Sequence, residues 1–187
     1  MSGFWVFDEV DGFVTGAIGE PGRRVFYLQV LHEGRRHSVR CEKQQVAAIS
    51  QYLRRALAHL PIPEGSTGGA RIAFTPPDDE AFVLGSVGLE FDRTADRFVL
   101  VLREMQRLDP NGDEDGDPFD DDSDETDDDD PFDDSDDTGS VMRVTVTRRQ
   151  ALGFCDLTDR VVAAGRPDCE WCSMPLDPDA HFCVRMN

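Results

Sequence analysis

"FVTGAIG", residues 13–19, returns as "FVLGSVG", residues 82–88, and the reading of that echo decides the fold. Each copy leads through a turn into an apolar run. "EPGRR" precedes "VFYLQV" in the first, and "LEFDRTADR" precedes "FVLVLREM" in the second. A third extended run follows each time, "RHSVRC" and "VMRVTVT". All are rich in β-branched and aromatic residues and bounded by Gly, Pro and Asp, as strands are. Each set closes on a helical pattern. Val46, Ile49, Leu53, Leu57 and Leu60 recur at intervals of three and four until Pro61, and Ala151, Phe154, Cys155, Val161 and Val162 make a looser stripe ending near Gly165. Thr147 and Gln150 have the spacing of a capping box, and Gln45 aligns with Gln150.

The expected fold is therefore α+β. Duplicated β-β-β-α repeats would form an antiparallel sheet of about six strands with two helices on one face. The first repeat is expected over residues 1–63 and the second over 70–165, with an acidic insertion at 109–139 and a metal-binding tail over 166–187. Gly16, Gly19, Gly85 and Gly88 lie in or beside strands. A phosphate-cradling loop needs a helix next, whereas here a strand follows, so a bulge or a close backbone approach is the expected role.

The formal net charge of −19 belongs to one segment. From Asp109 to Asp137 there are 18 acidic residues and no basic ones, leaving 20 acidic against 19 basic elsewhere. That stretch has no aliphatic side chain and cannot bury enough apolar area to offset its ordering entropy, so a disordered loop is expected. Asp109, Asn111, Asp113, Asp117 and Asp120 approach the spacing of an EF-hand, but Glu114 stands where the turn glycine belongs and Asp120 where the bidentate Glu belongs. Arg23, Arg24, Arg35, Arg36, Arg40, Arg54 and Arg55 raise the alternative that the loop covers a basic face.

"CEWCSMPLDPDAHFC", residues 169–183, gives a C-x2-C-x8-H-x-C array. Cys169 and Cys172 at this spacing can reach one tetrahedral ion, and "MPLDPDA" can return His181 and Cys183 to it. Three thiolates and an imidazole fill all four positions, which describes a structural Zn2+ site rather than a catalytic one. In an extended segment alternate side chains point oppositely, so Asp168, Asp177 or water are alternatives to His181. A redox dithiol would follow a strand and open a helix, whereas this pair follows a helix and a proline. Cys41 and Cys155 read as small buried hydrophobes.

An odd number of cysteines (five), no basic n-region in "MSGFWVFDEV" and no long apolar run point to a cytoplasmic protein without a membrane span. No nucleophile–base pattern stands out. Glu42, Lys43 and Gln45 at the first helix start are the weak catalytic candidates, Lys43 being the sole lysine.

These residues carry a resemblance. "FVTGAIGEPGRRVFYLQV", "EKQQV", "FVLGSVGLEFD", "RVVAAGRP" and the closing cysteine array resemble an uncharacterised actinobacterial family, domain of unknown function 3090. Its tail resembles C-x-x-C-G-x-P-L-D-P-x-G-H-x-C-P-R-x-N-G, which Cys169, Cys172, Pro175, Leu176, Asp177, Pro178, His181, Cys183, Arg185 and Asn187 match. Ser173, Ala180 and Val184 depart from it without removing a ligand. The resemblance implies an intracellular protein and supplies no activity. The expected function is that of a non-enzymatic binding or adaptor protein with a protein partner, its zinc knuckle presenting a surface with Arg166 and Arg185. The alternatives are a hydrolase or transferase with a pocket between the repeats, and a nucleic-acid-binding zinc protein. A near-neutral body and a polyanionic loop disfavour the latter.

Overall fold

The computed structural model describes residues 2–61, 72–106, 139–165, 169–172, 183 and 185. The elements run β1 (Phe4–Phe7), β2 (Gly12–Ile18), β3 (Val25–His32), β4 (Arg35–Cys41), α1 (Lys43–Ala58), β5 (Phe82–Asp92), β6 (Arg97–Glu104), β7 (Val141–Thr147) and α2 (Arg148–Ala163). After β1, the order β-β-β-α occurs twice. The strands form one sheet in the order β1-β7-β6-β5-β4-β3-β2.

That sheet corrects the expectation of about six antiparallel strands: among the described residues it has seven and is mixed. Two physical causes account for the difference. Helix α1 carries the chain back along the sheet, so β5 starts at the same end as β4 and pairs with it in parallel. "FWVF", all aromatic or β-branched, forms an additional strand parallel to β7.

The two outermost strands, β1 and β2, are consecutive in the chain, and this forces the sheet to curl. Six strand spacings of ~4.8 Å would separate them by about 29 Å in a flat sheet. The five Cα steps from Phe7 to Gly12 reach only about 18 Å. Contacts across the curl agree: Phe7 packs its ring on His32 and His37, with centroids 5.2 and 4.9 Å away, and Trp5 lies 5.9 Å from Phe82.

One core serves both β-β-β-α units. Phe26, Leu28, Val30, Val39, Leu84, Phe98, Leu100, Leu102, Met142, Val144 and Val146 alternate along their strands and pack against Val46, Ile49 and Leu53 of α1 and Ala151, Phe154 and Cys155 of α2. The helices also pack on each other, and α2 runs beside β2, where Phe154 stacks on Phe13 at 4.7 Å.

Both helices start with the same device. The Gln45 Oε1 accepts from the Glu42 backbone N–H at 2.8 Å, and Gln150 Oε1 accepts from the Thr147 N–H at 2.8 Å. Each amide then donates to the other unit. Gln45 Nε2 reaches the Leu84 and Gly85 carbonyls of β5 (3.1 and 3.3 Å), and Gln150 Nε2 reaches the Val10 carbonyl ahead of β2 (2.6 Å).

The glycines of the echo differ. Residues 72–77 cross the outer face of β2 and β3 without joining the ladder. A Cβ on Gly16 would collide with the Phe74 ring, and one on Gly12 with Ile72. The buried Gln29 side chain fixes this strap by donating to the Thr75 carbonyl (2.6 Å) and accepting from its N–H (3.2 Å). Gly85 instead sits at a register shift between Leu84 and Ser86, where a Cβ would lie 2.7 Å from the Met105 Cα. Gly19 takes a φ of +103° in the turn after β2, and Gly88 lies in β5, where a Cβ would make ordinary van der Waals contact with Val101 at 3.6 Å.

Candidate metal centre

Beyond α2 the chain turns at Cys169–Cys172. The Cys169 sulfur accepts the backbone N–H groups of Cys172 and Trp171, a geometry that only a tight turn supplies. These bonds, the one from Cys172 first, pull the Cys169 thiol down to about 6, because a donor aimed at sulfur stabilises the thiolate. Cys183 returns to this turn with its Sγ 3.9 Å from that of Cys169. The sulfurs of Cys169, Cys172 and Cys183 all lie within 4.8 Å of one another. Cys169 and Cys183 are buried and Cys172 is half-buried.

The donor set fits a tetrahedral ion. A zinc–sulfur bond of ~2.3 Å implies a sulfur–sulfur edge of about 3.8 Å, close to the Cys169–Cys183 separation. The three cysteines can therefore hold a metal ion. His181 lies outside the described residues, as do Asp168, Asp177 and Arg166. Arg185 is exposed.

The two remaining cysteines behave differently. Burial in the core, and then the neighbouring Glu42 carboxylate, push the Cys41 thiol up to about 12. Burial raises Cys155 as well, and its Sγ lies 3.5 Å from the Ser50 carbonyl. Both are sealed in the core and held towards the neutral thiol.

The weak catalytic candidates at the start of α1 take up structural positions. Gln45 is engaged on both ends of its amide, and Glu42 is the helix N-cap. Lys43 is exposed, with its Nζ beside Gly165 just past the end of α2, where an ammonium favours the helix dipole. The arginines considered for a basic face lie on several elements, Arg40 among them in β4 opposite Tyr27. Arg23 and Arg24 sit at the β2–β3 turn, while Arg35 and Arg36 sit at the opposite end of β3. Arg54 and Arg55 belong to α1, with Arg54 paired to Asp156 and Asp159.

The EF-hand-like positions lie outside the described residues. The strands flanking the acidic segment pair directly, Arg103 opposite Val141, and the Glu104 N–H and Ser140 carbonyl close the base at 2.8 Å.

The sequence places His32 and His37 in the strand–turn–strand region around "EGRR" without giving them a role. In the structure both rings pack on Phe7 of β1. Burial first, then the charges of His32 and Arg35, hold His37 below its ordinary value of 6.5. Only strand register across the curl places these rings together, and no local motif announces it.

Among the described residues, no helix is long and apolar enough to cross a membrane. The family described as Protein of unknown function (DUF3090) matches residues 5–183. No curated protein and no solved structure matches the chain.

Proposed function

The chain belongs to that family, a premise that supplies no reaction, and from it we propose that the protein is a cytoplasmic, non-enzymatic binding or adaptor protein whose tail is closed by one structural zinc ion. Cys169, Cys172 and Cys183 supply three ligands and His181 the fourth. The observation that carries this reading is the convergence of three sulfurs within 4.8 Å at the end of the chain. Three thiolates and an imidazole leave no open coordination position, so the ion orders the tail and activates no water. The two β-β-β-α units are read as copies of one ancestral unit, fused through a shared core. The zinc-closed tail, with the exposed Trp171 and Arg185 on it, presents the recognition surface for a protein partner. Glu42 and Gln45 support the non-enzymatic reading because the helix start and the β5 carbonyls engage them.

The test compares the zinc-loaded chain with Cys183→Ser in capture of cross-linked partners from the native host. The intact chain should retain a defined protein and the variant should lose it. A partner held equally by both moves recognition off the tail. A zinc ion carrying an exchangeable water revives the hydrolase alternative.

A further inference from the structure

The three tail sulfurs are unequal in access, and their spacing suits a reaction as well as a metal. Cys169 and Cys183 are only 5% and 7% exposed, whereas Cys172 is half-buried at the end of the turn, next to a Trp171 that is 60% exposed. All three sulfurs lie within 4.8 Å, so a displacement of about 2–3 Å brings any pair to the ~2.05 Å of a disulfide. The body cysteines are poor competitors, since Cys41 and Cys155 are sealed in the core at 4% and 0% exposure.

We propose that Cys172 is a site of oxidation by hydroperoxides, and that its oxidation opens the metal clip. The inference rests on the zinc reading given above. The Cys172 thiolate attacks the outer peroxide oxygen, the O–O bond breaks, and the departing alkoxide or hydroxide takes a proton and leaves as alcohol or water. Cys172 is then a sulfenic acid. The thiolate of Cys169 or Cys183 displaces its hydroxyl, which leaves as water with a second proton, and a sulfur–sulfur bond forms. The two sulfurs together give two electrons to one peroxide. The ion loses two of its thiolate ligands and dissociates. Reduction by a small dithiol restores both thiolates and the site.

Full-length zinc-loaded protein treated with hydrogen peroxide, with released zinc followed by a chromogenic chelator and the products mapped by mass spectrometry, tests this. The expected result is one zinc released per chain, an intact mass lower by about 2 Da, and a disulfide that contains Cys172. Dithiothreitol with added zinc should reverse all three, and, with both proteins compared metal-free because Cys172 is itself a proposed ligand, Cys172→Ser should slow loss of the remaining tail thiols by about tenfold or more. A disulfide joining Cys169 to Cys183 with Cys172 still a thiol would overturn the proposal. So would oxidation at Cys41 or Cys155 ahead of the tail. Zinc content before peroxide separates the two readings: a chain that binds no zinc defeats the clip, while the mass loss and the connectivity of Cys172 still decide the oxidation.

Discussion

The body and the tail of this protein solve the same problem by different physics. The body buries the apolar faces of its helices and alternating strand residues in one core, and the amides of Gln29, Gln45 and Gln150 each find partners, although the buried Thr158 hydroxyl has none among the described residues. The tail has too few residues for a core and gathers sulfur instead. The same residue type is sealed in the core in one region and placed where it can hold a metal ion in the other. Cys41 is pushed up by burial, and Cys169 is pulled down by two backbone N–H groups. What the difference teaches is that a short segment lacking apolar area must import its stability, and a metal ion is one way to do so.

The comparison breaks most readily in the core. Phe98→Ala, at a fully buried position, should destabilise the body by about 3–5 kcal/mol in urea unfolding and leave the tail's zinc stoichiometry unchanged in whatever fraction remains folded. A smaller effect would mean that the curled sheet tolerates a cavity at its centre. Next comes Gly16→Val, which drives a side chain into Phe74 and should cost about 1–3 kcal/mol. Adding Phe74→Ala should return part of that loss, and a lack of recovery would show that the strap is not what the glycine accommodates.

The paired helix starts give a finer test. Gln150→Ala removes a cap and a tie to Val10, with an expected cost of about 1–2 kcal/mol. Gln45→Ala should cost a similar amount. Inequality well beyond that range would argue that the two units do not use the device alike.

How far the sequence spoke follows the same division. Strands and helices announced themselves wherever periodicity was local, and Thr147–Gln150 marked the start of α2. The C-x2-C turn was legible because two cysteines lie three residues apart. Strand β1 and the parallel pairings were not, because they depend on where α1 returns the chain. The sockets at Gly12 and Gly16 depend on a strap some 60 residues away in the chain, so the sequence suggested close approach at Gly16 without naming the partner and did not single out Gly12. The approach of Cys183 to Cys169 was inferable from spacing alone, whereas the position of His181 lies outside the described residues.

The smallest expected effect is one of pH. His37 sits below 6.5 because the fold resists charging it among buried groups and beside His32 and Arg35. A depressed value means the unfolded chain binds the proton first. The contribution is full above about pH 6.5 and is lost as pH falls through the folded value. His37→Gln should flatten the body's stability between about pH 7 and 5. An unchanged slope would assign that dependence to other groups. Tail metal content, by contrast, should fall with acid through the cysteine ligands alike in both proteins.

The most direct measurement is X-ray absorption at the zinc edge on the purified full-length chain, together with its metal content. The account predicts about one zinc per chain, with three sulfurs near 2.3 Å, one nitrogen near 2.0 Å and no water. A chain that purifies without zinc and fails to take it up, or a shell holding an exchangeable water, would contradict it.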